Sequence, residues 1–188
     1  PLIIAPTLPG PELQWDETKK TVLVTLGTHL PWAKSQAIQL MQEVASRMPD
    51  TIFHFSRGRM VTREVEIRDN LHLYDFVPDN AFLNRYDAAI IHGGTGITYT
   101  CIQHGIPMLV WPHDYDQFDH AARIVHHQLG LRLKPQAHQI AQDLQTLITS
   151  PEIRASLDRY QQLYCNYDPG QMVFDALSSI DLSRSKMP

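Results

Sequence analysis

Between residues 21 and 182 the apolar positions alternate between two kinds of run. Thr21-Val22-Leu23-Val24-Thr25-Leu26 is β-branched or apolar throughout and stops at Gly27. Such a run reads as a strand buried on both faces in a parallel sheet, not as a half-exposed hairpin strand. Ala37, Met41, Val44, Ala45 and Met48 then recur at helical spacing. The same reasoning predicts strands at Thr51–Phe55, Leu71–Phe76, Asp87–His92, Pro107–Trp111 and Leu131–Leu133. A short helix at Thr95–His104 follows the fourth strand, and Phe118, Ala121, Ala122, Val125 and Leu129 mark another, with Gly130 as its C-cap. Three helical patterns close the chain: Ile140-Leu144-Leu147, Ile153-Leu157-Tyr160-Tyr164 and Val173-Ala176-Leu177-Ile180. Ser150-Pro151 and Asp168-Pro169 each place a capping side chain before a proline at the first helical position.

Strands alternating with helices predict an α/β fold, a single Rossmann-like domain with a doubly wound, mostly parallel sheet over residues 21–182. Pro1, Pro6, Pro9, Gly10 and Pro11 make residues 1–20 a linker or lead-in segment, and the polar residues 183–188 a frayed tail. With 43% hydrophobic and 19% charged residues, the 188-residue chain has the makings of a real core and is not a disordered one. Sixteen Lys and Arg against twenty Asp and Glu give a net charge of −4, which supplies no footprint for nucleic acid. Two cysteines, Cys101 and Cys165, fit a reducing compartment. Pro1 to Gly10 does not read as a secretory leader. The stretch Ala88 to His113 has no Asp, Glu, Lys or Arg, but its glycines and prolines exclude a spanning helix. The expected location is cytoplasmic, or peripheral to a membrane through a further domain.

Three of the nine glycines sit in His92-Gly93-Gly94-Thr95-Gly96, between a predicted strand and a predicted helix. The first backbone N–H groups of a helix lack intrahelical partners and carry the positive end of its dipole, so glycines there let an anion reach the backbone. A tight turn that needs glycine for its dihedrals alone reads the same way. The spacing is neither a Walker loop nor a G-x-G-x-x-G. His92, at the carboxyl end of its strand, is placed to donate to a phosphate oxygen or, in the blander reading, to bond a backbone carbonyl. Asp116-Gln117 follows the fifth strand at the same edge and suits sugar hydroxyls, with helix capping by Asp116 as the alternative. His113, Asp114, Asp116, His120, His126 and His127 meet no zinc spacing, and no metal is expected. Trp32 reads as a residue packed at a helix start, with the acceptor side of a cleft as the alternative.

In order along the chain stand Phe76-Val77-Pro78, His92-Gly93-Gly94-Thr95-Gly96, His104-Gly105-Ile106-Pro107-Met108, Pro112 and Asp116-Gln117. Together they resemble the donor-binding signature of family 1 UDP-glycosyltransferases, which have the GT-B fold. The resemblance runs from Thr21 to Leu133, is dense from Phe76 to Gln117, and singles out neither a sugar nor an acceptor. It implies that Phe76 stacks on the uracil and that Val77 bonds the base through its backbone. It implies that His92 and the amides of Gly93, Gly94, Thr95 and Gly96 hold the diphosphate, and that Asp116 and Gln117 hold the donor sugar. Gly27-Thr28 matches a Gly-Ser/Thr turn that faces the cleft. Ile97 stands where many members have Ser or Thr, with Thr98 adjacent, and Thr100 stands where many have a ribose-binding Glu. Gly27, Thr28, Thr98 and Thr100 are thus the implied ribose or phosphate contacts, with UDP favoured over dTDP.

The implied chain is the carboxyl-terminal half of a two-domain enzyme that moves a hexosyl group from a UDP-sugar to a hydroxyl acceptor with inversion. An amino-terminal domain, or a separate subunit, would hold the acceptor and the base, and no catalytic residue is assignable here. No cofactor is implied. A two-subunit transferase like the dolichol-linked N-acetylglucosamine enzyme is the alternative, although its donor subunit generally lacks the Asp-Gln pair. The departures at Ile97 and Thr100 motivate a non-catalytic nucleotide-binding module as a third reading.

Overall fold

A computed structural model describes residues 12–28, 30–59 and 65–179. The predicted lead-in up to residue 11 and the tail 183–188 lie outside the described residues. Among the described residues seven strands form one sheet: β1 (Lys20–Thr25), β2 (Thr51–Ser56), β3 (Val65–Arg68), β4 (Leu71–Tyr74), β5 (Ala88–Ile91), β6 (Met108–Val110) and β7 (Gly130–Arg132). Their order is β3-β4-β2-β1-β5-β6-β7, all parallel except β3, which runs antiparallel to β4. The helices are α1 (Pro31–Arg47), α2 (Asp79–Phe82), α3 (Thr95–His104), α4 (Gln117–His126), α5 (Ala137–Thr149), α6 (Pro151–Cys165) and α7 (Pro169–Ser178).

The chain winds left from β1 through α1 to β2, and right from β5 through α3 to β6. Right-handed crossovers in opposite directions put their helices on opposite faces of the sheet. Accordingly α1 packs with α5, and α3 packs with α6. The continuous apolar run of β1 is explained by this double cover: Val22, Leu23 and Val24 are fully buried. The sheet order reverses direction between β1 and β5, where ligands of open α/β sheets collect beyond the carboxyl ends.

The segment ahead of β1 is irregular but packed. Leu13 is buried in the core, and the Trp15 ring meets His54 edge-on at 4.9 Å between centroids. The carbonyl of Gln14 accepts from His54 Nε2 at 2.8 Å, which leaves Nδ1 to accept from the Tyr86 hydroxyl at 3.0 Å. Burial in this network holds the His54 pKa down to about 4.

Three local features depart from the sequence reading. The edge strand β3 and the short α2, with the 3-10 turn Leu83–Arg85 behind it, were not predicted. Gly130 is not a helix cap: Gln128 takes the left-handed turn, at φ 56°. Gly130 instead starts β7, where an added Cβ would lie 2.0 Å from the Met108 carbonyl oxygen. The two predicted caps hold, Ser150 accepting from the Ile153 amide and Asp168 from that of Gln171. Among the described residues no helix is long and apolar enough to cross a membrane.

Candidate functional site

The loops leaving β1, β2, β4 and β5 meet in a cavity of about 240 Å³. Its walls bring together Gly27, Thr28, Phe76, Val77, His92, Gly94, Thr95 and Gly96, residues predicted from three separate stretches of sequence. Thr25, Ser56, Gly58 and Ile97 complete the lining. A larger hollow, about 460 Å³, opens at the amino ends of β1 and β5 among Asp16, Lys19, Lys20, Asp50, Arg85 and Asp87. It is an exposed, mixed-charge basin on the wrong edge of the sheet for an α/β ligand site.

His92 stands just past β5 in the smaller cavity, held in a slot between two glycines. A Cβ on Gly94 would stand 2.4 Å from its Nε2, and one on Gly27 would stand 2.9 Å from its Cε1. Gly27 also has φ 68°, a conformation that favours glycine. Nδ1 of His92 is buried and makes no hydrogen bond of standard geometry. Burial lowers the His92 pKa; the Thr25 backbone opposes it, the neighbouring His113 lowers it further, and Asp114 and Asp116 oppose in turn, leaving it below the ordinary histidine value. The ring is therefore neutral at pH 7 and carries one N–H to give.

Gly94 is the N-cap of α3, with extended backbone, no capping side chain and no acidic residue in the first turn. The first amide to find an intrahelical carbonyl is that of Thr98, bonded to Gly94 at 3.1 Å. The amides of Thr95, Gly96 and Ile97 are thus left at the cavity wall with the positive end of the helix dipole. An added Cβ on Gly96 would meet no atom within 4 Å, so the approach to these amides is open. The turn itself is pinned from behind by His120, whose Nδ1 donates to the Gly93 carbonyl at 2.6 Å.

Asp116 and Gln117 do not line this cavity, and they differ from each other. Asp116 occupies the N-cap position of α4 but makes no capping bond, and its side chain is 62% exposed. The capping alternative is thereby set aside. Gln117 is buried and fully engaged: Oε1 accepts from the His113 and Asp114 amides, and Nε2 donates to Asp114 Oδ1 at 2.6 Å. Its amide shapes the loop between β6 and α4, and its backbone stands against Gly93.

Thr98 and Thr100 are not brought to the site. Thr98 lines a second cavity of about 200 Å³ behind the turn, between α3, α4 and α6. The hydroxyl of Thr100 donates to the Gly96 carbonyl at 2.9 Å, one turn back on its own helix. The Val77 amide donates to Ser56 Oγ at 3.2 Å, so a base contact there falls to the carbonyl. Trp32 is 62% exposed rather than packed, with its ring edge-on to His113 at 5.5 Å between centroids. Among the described residues no cluster of three His, Cys, Asp or Glu side chains gathers to hold a metal.

Four residues that no sequence motif marked as part of a site belong to the cavity or its frame: Thr25, Ser56, Gly58 and His120. Gly58 has φ 65° and packs so closely on Gly27 that a Cβ would fall 2.4 Å from the Gly27 carbonyl oxygen. A readable signal existed only for Lys34, a cation set in the apolar stripe of α1, which reaches the back of this turn.

A sequence model of the erythromycin biosynthesis protein CIII-like C-terminal domain matches residues 38–164, about two thirds of the chain. The aclacinomycin-T 2-deoxy-L-fucose transferase of Streptomyces galilaeus is 38% identical over 81 residues, 43% of this chain and 18% of that one. The erythronolide mycarosyltransferase of Saccharopolyspora erythraea is 32% identical over 88 residues, 45% of this chain and 21% of that one. Among solved structures, the glycotransferase of kitacinnamycin superposes with a TM-score of 0.79 at 22% identity, over 92% of this chain and 46% of that one. The spinosyn rhamnosyltransferase SpnG, solved with thymidine diphosphate, superposes with a TM-score of 0.71 at 22% identity, covering 86% and 45%. The chain spans less than half the length of these proteins.

Proposed function

Because the chain belongs to the erythromycin biosynthesis protein CIII-like C-terminal domain family, we propose that it is the donor-binding half of a glycosyltransferase. In this reading it presents a pyrimidine nucleoside diphosphate sugar to a hydroxyl acceptor held by another domain or subunit. The observation that carries the reading is the convergence of Phe76, Val77, His92, Gly94, Thr95 and Gly96 on one cavity at the carboxyl edge of the sheet. Phe76 offers a ring for the base. The open amides of α3 and the His92 N–H offer donors to the diphosphate. The exposed carboxylate of Asp116, the next loop along, offers an acceptor to the donor sugar's hydroxyls.

Each part acts on charge or position rather than by covalent chemistry. As the bond from the anomeric carbon to the diphosphate breaks, negative charge grows on the leaving oxygen. A fixed helix end and a neutral imidazole N–H stabilise that charge without reorganising, which is the largest contribution in many such sites. Displacement by the acceptor oxygen from the opposite side inverts the anomeric centre. The base that takes the acceptor proton is placed outside these residues. Gln117 acts in this reading through the loop it holds, not by touching the sugar.

UDP is the expected nucleotide. The spinosyn transferase's thymidine diphosphate makes dTDP the second reading, since a methyl group on the base is the only difference that Phe76 and Val77 meet. Calorimetric titration of the 188-residue polypeptide with UDP, dTDP, GDP and uridine tests the assignment. Binding of UDP or dTDP at least about tenfold tighter than GDP and uridine is expected, a difference of about 1.4 kcal/mol. Equal binding of GDP, or no binding of either pyrimidine diphosphate, overturns it.

A further inference from the structure

The inward stripe of α1 is apolar except at one position. Ala33, Ala37, Met41, Val44 and Ala45 are buried, and Lys34 is buried among them with 8% exposure. Lysine is rarely buried without a paired charge, because an isolated ammonium loses its hydration. Lys34 Nζ donates to the Arg57 carbonyl at 2.6 Å, a neutral acceptor. Among the described residues the nearby carboxylates are taken by others: Glu66 pairs with Arg57 and Arg68, and Asp75 stands 3.8 Å from Arg57. Arg59 adds a second positive charge from the same loop. Burial lowers the Lys34 pKa first, and Arg59 lowers it further.

The position of this cation gives it a use. A Cβ on Gly58 would stand 2.9 Å from Lys34 Nζ and 2.4 Å from the Gly27 carbonyl oxygen. Gly58 and Gly27 both line the cavity, and Gly27 borders the His92 ring. Gly58 thus borders both the ammonium and the space assigned to the diphosphate. The amino end of α3 faces that space from the other wall. Resting on the donor-binding reading above, we infer that Lys34 is the buried countercharge of the donor's diphosphate, a positioning and electrostatic residue that favours a polyanion in the cleft without touching it. A purely structural residue at this point of the stripe would be met by methionine, which fills the same volume and needs no countercharge. The hydrogen bond to Arg57 fixes where the charge sits and keeps it from reaching solvent.

The test uses the 188-residue polypeptide and its Lys34→Met variant, titrated with UDP and with uridine. Lys34→Met is expected to weaken UDP at least about tenfold and to leave uridine within about twofold. It is expected to melt at the parent's temperature or above, since the variant removes a buried charge that has no ion-pair partner among the described residues. A second readout needs no variant. An anion that raises a lowered lysine pKa draws a proton onto it, so within a titration series from about pH 7 to 11 UDP binding to the parent takes up protons beyond the uridine baseline. Calorimetry in buffers of different ionisation enthalpy reads this uptake, and Lys34→Met abolishes it. Unchanged UDP affinity in the variant, an equal loss for uridine, or no uptake above the uridine baseline overturns the role of Lys34 alone. A parent that binds neither UDP nor dTDP overturns the donor-binding reading, and this inference with it.

Discussion

His92 sits where it does because two neighbours have no side chain, and this coupling is measurable. Gly94 has φ −65°, open to any residue, so Gly94→Ala is opposed by the imidazole and not by the backbone. Overpacking of this kind costs about 1–3 kcal/mol. Gly94→Ala is expected to lower stability by about that amount in the parent and by much less in a His92→Ala background. A urea-unfolding double-mutant cycle that comes out additive would show that the ring is not the obstacle. His92→Ala alone is expected to weaken UDP about tenfold to a hundredfold, one charge-assisted bond at about 1.5–3 kcal/mol, and to leave uridine unchanged. The Asp-Gln pair separates by the same logic. Asp116→Ala is expected to weaken a UDP-sugar about tenfold, spare UDP and leave the melting temperature alone, since the carboxylate is exposed and caps nothing. Gln117→Ala removes three hydrogen bonds of a buried side chain and is expected to lower the melting temperature as well. If both variants melt together, the division of labour is wrong. The sequence marks His92 and Asp116 through their place after strands, but it cannot show that Gln117 spends its amide on the loop. Thr98 and Thr100 mislead for different reasons: Thr98, two residues past Gly96, is half a helical turn away, while Thr100, a full turn on, gives its hydroxyl to the Gly96 carbonyl.

Among the elements, long buried strands and striped helices were legible because double cover makes their patterns continuous. The edge strand β3 was not. Its Val65-Glu66-Ile67-Arg68 alternates apolar with charged, and its burial alternates between exposed and intermediate. It is held by pairing with β4 and by the Arg57–Glu66 and Arg68–Glu66 ion pairs, and charges of this kind keep an edge from pairing with other chains. The packed segment ahead of β1 escaped notice too, since its anchors, His54 in β2 and Tyr86 after the 3-10 turn, are remote in sequence. That network makes a pH prediction. His54 has a folded pKa of about 4 against 6.5 for an unperturbed histidine, so the unfolded chain binds the extra proton first as pH falls. Stability is therefore full above about pH 6.5 and declines towards pH 4, by on the order of 3 kcal/mol from this group. His72, His92 and His113 are lowered by burial and add to the decline with the same sign. Urea unfolding from pH 7.5 to about 4.5 reads the slope, and His54→Leu is expected to flatten it even though the variant starts lower for want of two hydrogen bonds. An unaltered slope in that variant assigns the acid sensitivity to the other histidines.

For the whole molecule, the cleft is one-sided. Every group assigned to the donor lies on the carboxyl edge of a single sheet, and in the proposed reading the base that takes the acceptor proton belongs to another domain or subunit. The aromatic rings of Trp32 and His113 stand beside the cleft, and Trp32 is open to solvent. Along α7, Met172, Val173, Phe174 and Leu177 are each more than half exposed, an apolar helix that no described residue covers. The solved structures that share this fold are about twice as long, with 46% of the kitacinnamycin enzyme matched. Binding and transfer should therefore come apart in the 188-residue polypeptide. In the proposed reading, binding needs only Phe76, the amides of α3, His92 and the charge behind Gly58, all on one sheet edge. Transfer needs an acceptor oxygen held in line with the departing diphosphate and a base to receive its proton, and positioning of that kind accounts for about 7–11 kcal/mol of a barrier. The expected outcome is micromolar or weaker retention of UDP-sugar with no glycoside formed from a panel of phenolic and alcohol acceptors, followed by mass spectrometry. Slow release of free sugar is compatible with this, since water reaches an open half-cleft without being positioned. Multiple turnovers of glycoside by the polypeptide alone would place the base and the acceptor site within these residues, and His113 beside Trp32 would then be the first group to replace.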